Sequence, residues 1–148
     1  MVDRYRARIS GPLLDRIDLH IPIPAVKYRE LVADGDCEDS AAIRARILAA
    51  RERQQQRLAP FGVSCNAQMT PRAVRRFCKL DAECTRLLER AMKHVGLSAR
   101  AYDRILRVSR TIADLEGREN IDAKHVAEAI QYRSLDRSYA QTATRRIG

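Results

Sequence analysis

Two arginines occupy places where a guanidinium can act on a phosphate. Arg100 follows Ser98 and Ala99, at the second position of a helix expected to start at Ala99. The positive end of a helix dipole disfavours a cation there and favours an anion. Ser98, the free backbone N–H groups and Arg100 therefore read together as a phosphate-facing tip. Arg16 stands between Asp15 and Asp18 in PLLDRIDL, at the mouth of an alternating apolar run. A local salt bridge with either aspartate explains it on composition alone. An arginine projecting from the start of a strand can also reach across to another molecule, and spacing leaves that choice open.

Other chemistries find little footing. His20, His94 and His125 are isolated, and Cys37, Cys65, Cys78 and Cys84 form no CxxC pair and have no histidine at metal-ligand spacing. Neither zinc nor redox chemistry is expected, and the cysteines read as buried or free reduced thiols. HExxH and GxSxG do not occur, and the six glycines never build a GxxxxGK[ST] phosphate loop. No apolar strand ends in an Asp-Glu pair either, so the chain alone is not expected to hydrolyse nucleotide.

The frame that must hold these arginines is small. With 148 residues, 45% apolar and 5% aromatic, the chain describes one soluble domain with a leucine, isoleucine, valine and alanine core. A chain of this size buries roughly 70% of its unfolded surface, so it needs no disulfide or metal staple. Twenty-eight basic against nineteen acidic residues give +9, and only four of the basic residues are lysines, leaving 24 arginines. That bias points to nucleic acid, nucleotide phosphates or acidic partners, although GC-rich coding produces it too. Apolar stretches fall far short of the ~20 residues of a membrane span, and the N-terminus lacks a signal core. A cytoplasmic location follows as the expectation.

Along the chain, Ile17, Leu19, Ile21 and Ile23 alternate with Asp18, His20 and Pro22, the period of a half-buried strand. Pro22 removes a ladder donor and Pro24 ends the run, so the strand is short or at an edge. It needs a sheet that the chain does not supply. Residues 26–39, with Gly35 and an acidic cluster, read as a loop, and from Ser40 the pattern is helical. A helix capped by Asp39 or Ser40 runs to about Arg57 with Ile43, Ile47 and Ala50 on its apolar side. Thr70-Pro71 starts a short helix carrying Val74, Phe77 and Cys78. Asp81 caps a strongly amphipathic helix ending at Gly96, with Cys84, Leu87, Leu88, Ala91, Met92 and Val95 inward. Ser98 caps the next, to about Glu116, burying Tyr102, Ile105, Leu106, Ser109, Ile112 and Ala113. Asp122 caps the last, where Val126, Ala129 and Ile130 face inward. The predicted fold class is mainly α: a helical bundle behind one orphan strand.

On the Ser98-capped helix, Arg100, Arg104, Arg107 and Arg110 fall within about 120° of one another, opposite the apolar face. Arg104, Arg107 and Arg110 read as a solvated basic face. Arg72, Arg75 and Arg76 beside the Asp81 helix offer a rival reading, a stand-alone basic helical module that binds nucleic acid directly.

Three blocks carry a resemblance: YRARISGPLLDRIDLHIPIP, GLSARAYDRILRVSRTIADLEG and IDAKHVAEAIQYRSLDR. Together they resemble the C-terminal part of the ComM/YifB-type magnesium-chelatase-like AAA+ ATPases, which are related to the MCM helicases. The resemblance implies that residues 1–39 are a remnant of the nucleotide-binding core, with its last strand, and that residues 40–137 are the helical lid; as a terminus, 138–148 reads as a disordered tail. It implies that Arg16, in LLDRIDL, is the trans-acting arginine finger, and that Arg100, in SAR, is the lid's sensor beside Ser98. Ile17 stands where many MCM relatives carry phenylalanine, which keeps the apolar role. The parent protein so implied forms a ring, expected to be a hexamer, uses ATP and Mg2+, and acts on DNA in branch migration during natural transformation. The fragment itself is expected to bind no cofactor, to hold no metal and to lack turnover. A magnesium-chelatase subunit is the further alternative that the family name raises.

Overall fold

The side-chain oxygens expected to start helices do so. The computed structural model describes residues 13, 16–25 and 38–133. Helix α1 (Ser40–Leu58) opens on Asp39, whose carboxylate accepts from the N–H groups of Ala41 and Ala42. Thr70 caps α2 (Pro71–Phe77) through Ala73 N–H at 3.3 Å, and Asp81 caps α3 (Ala82–Val95) through Cys84 N–H at 2.8 Å. Ser98 caps α4 (Ala99–Leu115) through Ala101 N–H at 3.1 Å. At the head of α5 (Ala123–Gln131) Asp122 and His125 form a reciprocal capping box, in which His125 Nδ1 accepts from Asp122 N–H at 2.9 Å. These bonds satisfy donors that the first helical turn leaves open.

The ends are equally local. After α3 the chain turns at Gly96 with φ 68°, and after α4 at Gly117 with φ 74°, both left-handed. Arg118 N–H then reaches back to Ala113 O at 2.8 Å, closing the α4 terminus as a glycine C-cap does. Two short 3-10 turns, Ala59–Phe61 and Asn66–Gln68, carry the chain from α1 to α2.

Helix α4 is the axis of the bundle, packed by α1, α2 and α5, while α3 lies against α5. Leu58, Val74, Cys84, Leu88, Ile105, Leu106, Ile112 and Val126 form one continuous apolar core. Deleting a side chain the size of leucine from such a core costs about 2–5 kcal/mol. The mainly α architecture is therefore present. Cys65, Cys78 and Cys84 are free thiols. Among the described residues no helix is long and apolar enough to cross a membrane.

Tyr102 of α4, expected inside, is 40% exposed, and three larger expectations need correction. The orphan strand is not formed: residues 17–25 run without strand pairing, with Ile17 at 40%, Leu19 at 45%, Ile21 at 63% and Ile23 at 85% exposure. His20, on the alternate face, is the buried one. A strand requires a ladder partner, and here the segment meets helices, which offer no free row of backbone groups. Second, Ile43 and Ile47 of α1 are exposed, and burial begins only at Ala50, Gln54 and Leu58, where α4 comes alongside. Third, Arg104, Arg107 and Arg110 are not a solvated face: Arg110 is 2% exposed and the other two are half-buried. An axial helix is covered on its polar side as well, and that side must then find partners. Cys37, most of the loop expected at 26–39 and the tail expected at 138–148 lie outside the described residues.

Candidate functional site

Arg104 lies one turn beyond Arg100 on α4 and forms an ion pair with Asp18 of the leading segment. His20 N–H donates to Tyr132 O at 2.7 Å, and the Arg133 guanidinium, on a residue only 1% exposed, donates to Ile17 O. Asp18, His20 and Ile17 thus tie the segment to α4 and to the end of α5. Between them opens a cleft of about 670 Å³ whose walls include Asp18, Leu19, Arg100, Arg104, Arg107 and Tyr132.

Arg100 stands exposed on this cleft. Ser98 is committed to capping, its hydroxyl accepting from Ala101 N–H at 3.1 Å, so it fixes the first turn that carries Arg100. Arg16 is also exposed, and its own N–H donates to Leu13 O at 3.0 Å. Of its two neighbouring aspartates, Asp18 is turned to Arg104 instead, and Asp15 lies outside the described residues. The structure therefore places Arg100 and the segment bearing Arg16 on one scaffold. Arg16 itself does not line the cleft.

A second arrangement, missed in the sequence, supports the first. Asp114 on α4 is fully buried, and Arg57 of α1 grips it with both prongs, at 2.7 and 2.6 Å. Asn66 donates to the same carboxylate at 2.8 Å, and Arg110 Nε lies 3.2 Å from its other oxygen. The remaining Arg110 nitrogens donate to Glu119 O and Arg118 O, both at 2.6 Å, and Arg53 donates to Asp114 O at 3.0 Å. Arg107 bonds Ala67 O at 3.0 Å and Met69 O at 2.7 Å while pairing with Asp103. One buried carboxylate and these arginines thus fasten α1, the turn at Asn66–Gln68, α4 and the loop after it. Forked, charge-assisted bonds of this kind fix geometry as well as charge. Burial pushes the Arg110 pKa below its ordinary value, and Asp114 pulls it back. The signal present in the sequence was the Arg110-Asp114 spacing of four, a helical ion pair beside the apolar face.

The other titratable groups are structural. His125 is buried, and since its Nδ1 accepts from Asp122, the proton belongs on Nε2, which faces Glu116 Oε2 at 3.1 Å. Lys124, then His125, holds the Glu116 carboxyl below its ordinary range. Burial raises the Cys78 and Cys84 thiols to about 11, so both stay protonated and unreactive at neutral pH. Among the described residues no group of three or more histidine, cysteine or acidic side chains is placed to hold a metal.

Residues 37–133 match the family described as magnesium chelatase, subunit ChlI C-terminal. The chain belongs to that family. Residues 1–31 match a second description, magnesium chelatase, subunit ChlI, so the leading segment and the helices are recognised as separate pieces. The chain is similar to the competence protein ComM of Haemophilus influenzae, 44% identical over 135 residues, and to the YifB protein of Escherichia coli, 42% identical over 137. A Mycobacterium tuberculosis relative is 35% identical over 130 residues. The first two matches cover 90% of this chain and 26% of each relative, so the chain spans about a quarter of their length. In this ComM/YifB-type magnesium-chelatase-like protein, the helices from α1 to α5 constitute the ChlI C-terminal unit, and Arg100 lies within it. Arg16 lies in the other piece.

Proposed function

We propose that the chain is the lid and arginine-finger part of a hexameric AAA+ ATPase that acts on DNA. The observation that carries this reading is the fastening of the Arg16 segment to α4 and α5 through Asp18–Arg104, His20–Tyr132 and Arg133–Ile17. A group that acts on a neighbouring subunit's nucleotide has to be exposed yet held, and Arg16 is exposed on a segment anchored at its next few residues. Arg100 stands at the opposite end of the same helix from the Asp114 cluster, in a first turn whose free N–H groups suit an anion. When ATP and Mg2+ are bound by the parent protein, Arg100 meets phosphate of its own subunit and Arg16 meets the γ-phosphate across the interface. A cation delivered there stabilises charge that grows in the transition state and contributes on the order of 10³ to 10⁵ in rate. Because both arginines ride on one scaffold, nucleotide sensed at Arg100 shifts the finger presented to the neighbour.

DNA as the partner, and branch migration during natural transformation as the role, follow from the family reading and fit the name of the Haemophilus influenzae competence protein. The exposed row Ile17, Leu19, Ile21 and Ile23 is consistent with a segment that completes a sheet of the nucleotide-binding core. In full-length protein, Arg16→Ala should still bind ATP and lose turnover. Mixing it with a subunit disabled at its own phosphate loop should restore part of the activity at mixed interfaces. Unchanged turnover in Arg16→Ala overturns the finger assignment, and an unaltered ATPase profile in Arg100→Ala removes the sensor.

A further inference from the structure

Three contacts hold the leading segment, and they differ in how readily they are given up. His20 N–H donates to Tyr132 O at 2.7 Å and the Arg133 guanidinium donates to Ile17 O, and both His20 and Arg133 are buried. The third contact is the Asp18–Arg104 ion pair, in which the Asp18 side chain is 53% exposed and that of Arg104 23%. A carbonyl tied to a buried donor is costly to release, whereas a partly exposed ion pair contributes little and yields to a stronger partner. Two anchors fix where the segment lies but leave it free to turn about the line joining them. The Asp18 contact fixes that rotation. Arg104 also shares a cleft with Arg100, which lies one turn before it on α4, their Cβ atoms about 5–6 Å apart. Arg107, the next arginine along that wall, is engaged by Asp103 and by the carbonyls of Ala67 and Met69. Arg104 is therefore the arginine of this cleft that pairs with the leading segment.

We propose that Arg104 is a positioning residue that exchanges Asp18 for nucleotide phosphate, so that occupancy at Arg100 unlocks the rotation of the segment bearing Arg16. This exchange rests on Arg100 being the lid's phosphate sensor, as proposed above, and gives that site its regulation. A phosphate that meets Arg100 comes within one turn of Arg104. It brings more negative charge than a single carboxylate and more acceptor oxygens for the guanidinium fork, so it displaces Asp18. Asp18, already half in water, is solvated on release at small cost, while Tyr132 and Arg133 keep the segment attached. Arg16 adjoins the Ile17 anchor and turns with it. The finger is thereby locked in the empty subunit and free to turn in the nucleotide-bound one.

The test is nucleotide affinity and hydrogen exchange in the full-length protein, with a non-hydrolysable ATP analogue as the probe. Removing the competing carboxylate should help the nucleotide: Asp18→Asn should bind the analogue about two- to fivefold more tightly, the range that a partly exposed ion pair supports. Asp18→Glu keeps the charge and should stay within about twofold of wild type. Arg104→Ala should bind more weakly, and adding Asp18→Asn to it should gain nothing, because the exchange needs both partners. In wild type the analogue should speed amide exchange at Asp18 and Leu19, and in Asp18→Asn that exchange should already be fast without nucleotide. A fold damaged by the substitution would loosen the nucleotide rather than tighten it. Unchanged or weaker affinity in Asp18→Asn, the same gain in the Arg104→Ala background, or exchange at Asp18 that ignores the analogue overturns the proposal. Arg100→Ala, measured alongside, separates the two failures. If it weakens the analogue while Asp18 and Arg104 show no coupling, the sensor stands and the exchange fails; if it leaves affinity unaltered, the sensor fails and the exchange falls with it.

Discussion

The leading segment and α4 carry apolar residues at equally regular spacing, and the chain treats them in opposite ways. On α4, Ile105, Leu106, Ile112 and Ala113 are all buried, because α1, α2 and α5 close around the helix. On the segment, Ile21 and Ile23 are 63% and 85% exposed, and what holds it are the ion pair from Asp18 and two anchors on backbone carbonyls. The same division runs through α1, exposed along Ile43, Ile47 and Leu48 and buried only at Ala50, Gln54 and Leu58. A helix satisfies its backbone within itself and needs neighbours only for its side chains, whereas a strand needs neighbours for both. The bundle therefore covers its own apolar faces, and the segment leaves its row of isoleucines uncovered.

Substitutions on the two sides should separate sharply. The largest effect belongs to Asp114→Ala, which leaves the buried Arg110 and the half-buried Arg57 without their counter-charge. It should cost about 3–5 kcal/mol, a large part of the ~5–15 kcal/mol that holds a domain together. A loss of less than about 1 kcal/mol in the unfolding free energy from urea titration would show that the cluster is peripheral. Gly117→Ala follows. Its φ of 74° is left-handed, and Arg53 Nη2 lies 3.1 Å from where the new Cβ would sit. A loss of about 1–2 kcal/mol in thermal melting is expected, with Arg53 displaced from Asp114 O.

Acidification should act next. Glu116, held below its ordinary 4.5 by Lys124 and His125, and Asp81, held below 3.8 by Cys84 N–H, bind fewer protons folded than unfolded in acid. Their contribution is thus complete above those ordinary values and is lost as pH falls through the lower folded ones. Melting temperature should decline over that acid range, and Glu116→Gln should decline less steeply. A parallel decline in the variant would assign the acid loss elsewhere. The smallest effect is expected from Ile21→Ser on the segment, less than about 0.5 kcal/mol by urea unfolding, because the side chain is already in water. A loss of core size there would erase the distinction between the two regions.

Much of the bundle was legible from the sequence because its determinants are local. Asp39, Thr70, Asp81 and Ser98 cap the helices they were expected to cap, and Gly96 and Gly117 stop theirs. Arg16 and Arg100 could be singled out by motif and by place in a helix. The fate of Arg104, Arg107 and Arg110 could not be, since a helical wheel shows which residues share a face and not what covers it. Asn66 and Arg57 were likewise silent, being 48 and 57 residues from the carboxylate they hold.

The sequence by itself determined the helices, their caps and stops, and most of the apolar side of α3, α4 and α5. Each depends on residues within a few positions of one another, where periodicity and hydrogen bonding to the nearest backbone decide the outcome. Tertiary structure alone decided that α4 is the axis, that Asp114 gathers Arg57, Arg110 and Asn66, that Asp18 chooses Arg104 over Arg16, and that the isoleucines of the segment remain uncovered. Those outcomes turn on which surfaces meet across long stretches of chain, and a buried charge accepts whichever partner the packing brings within reach.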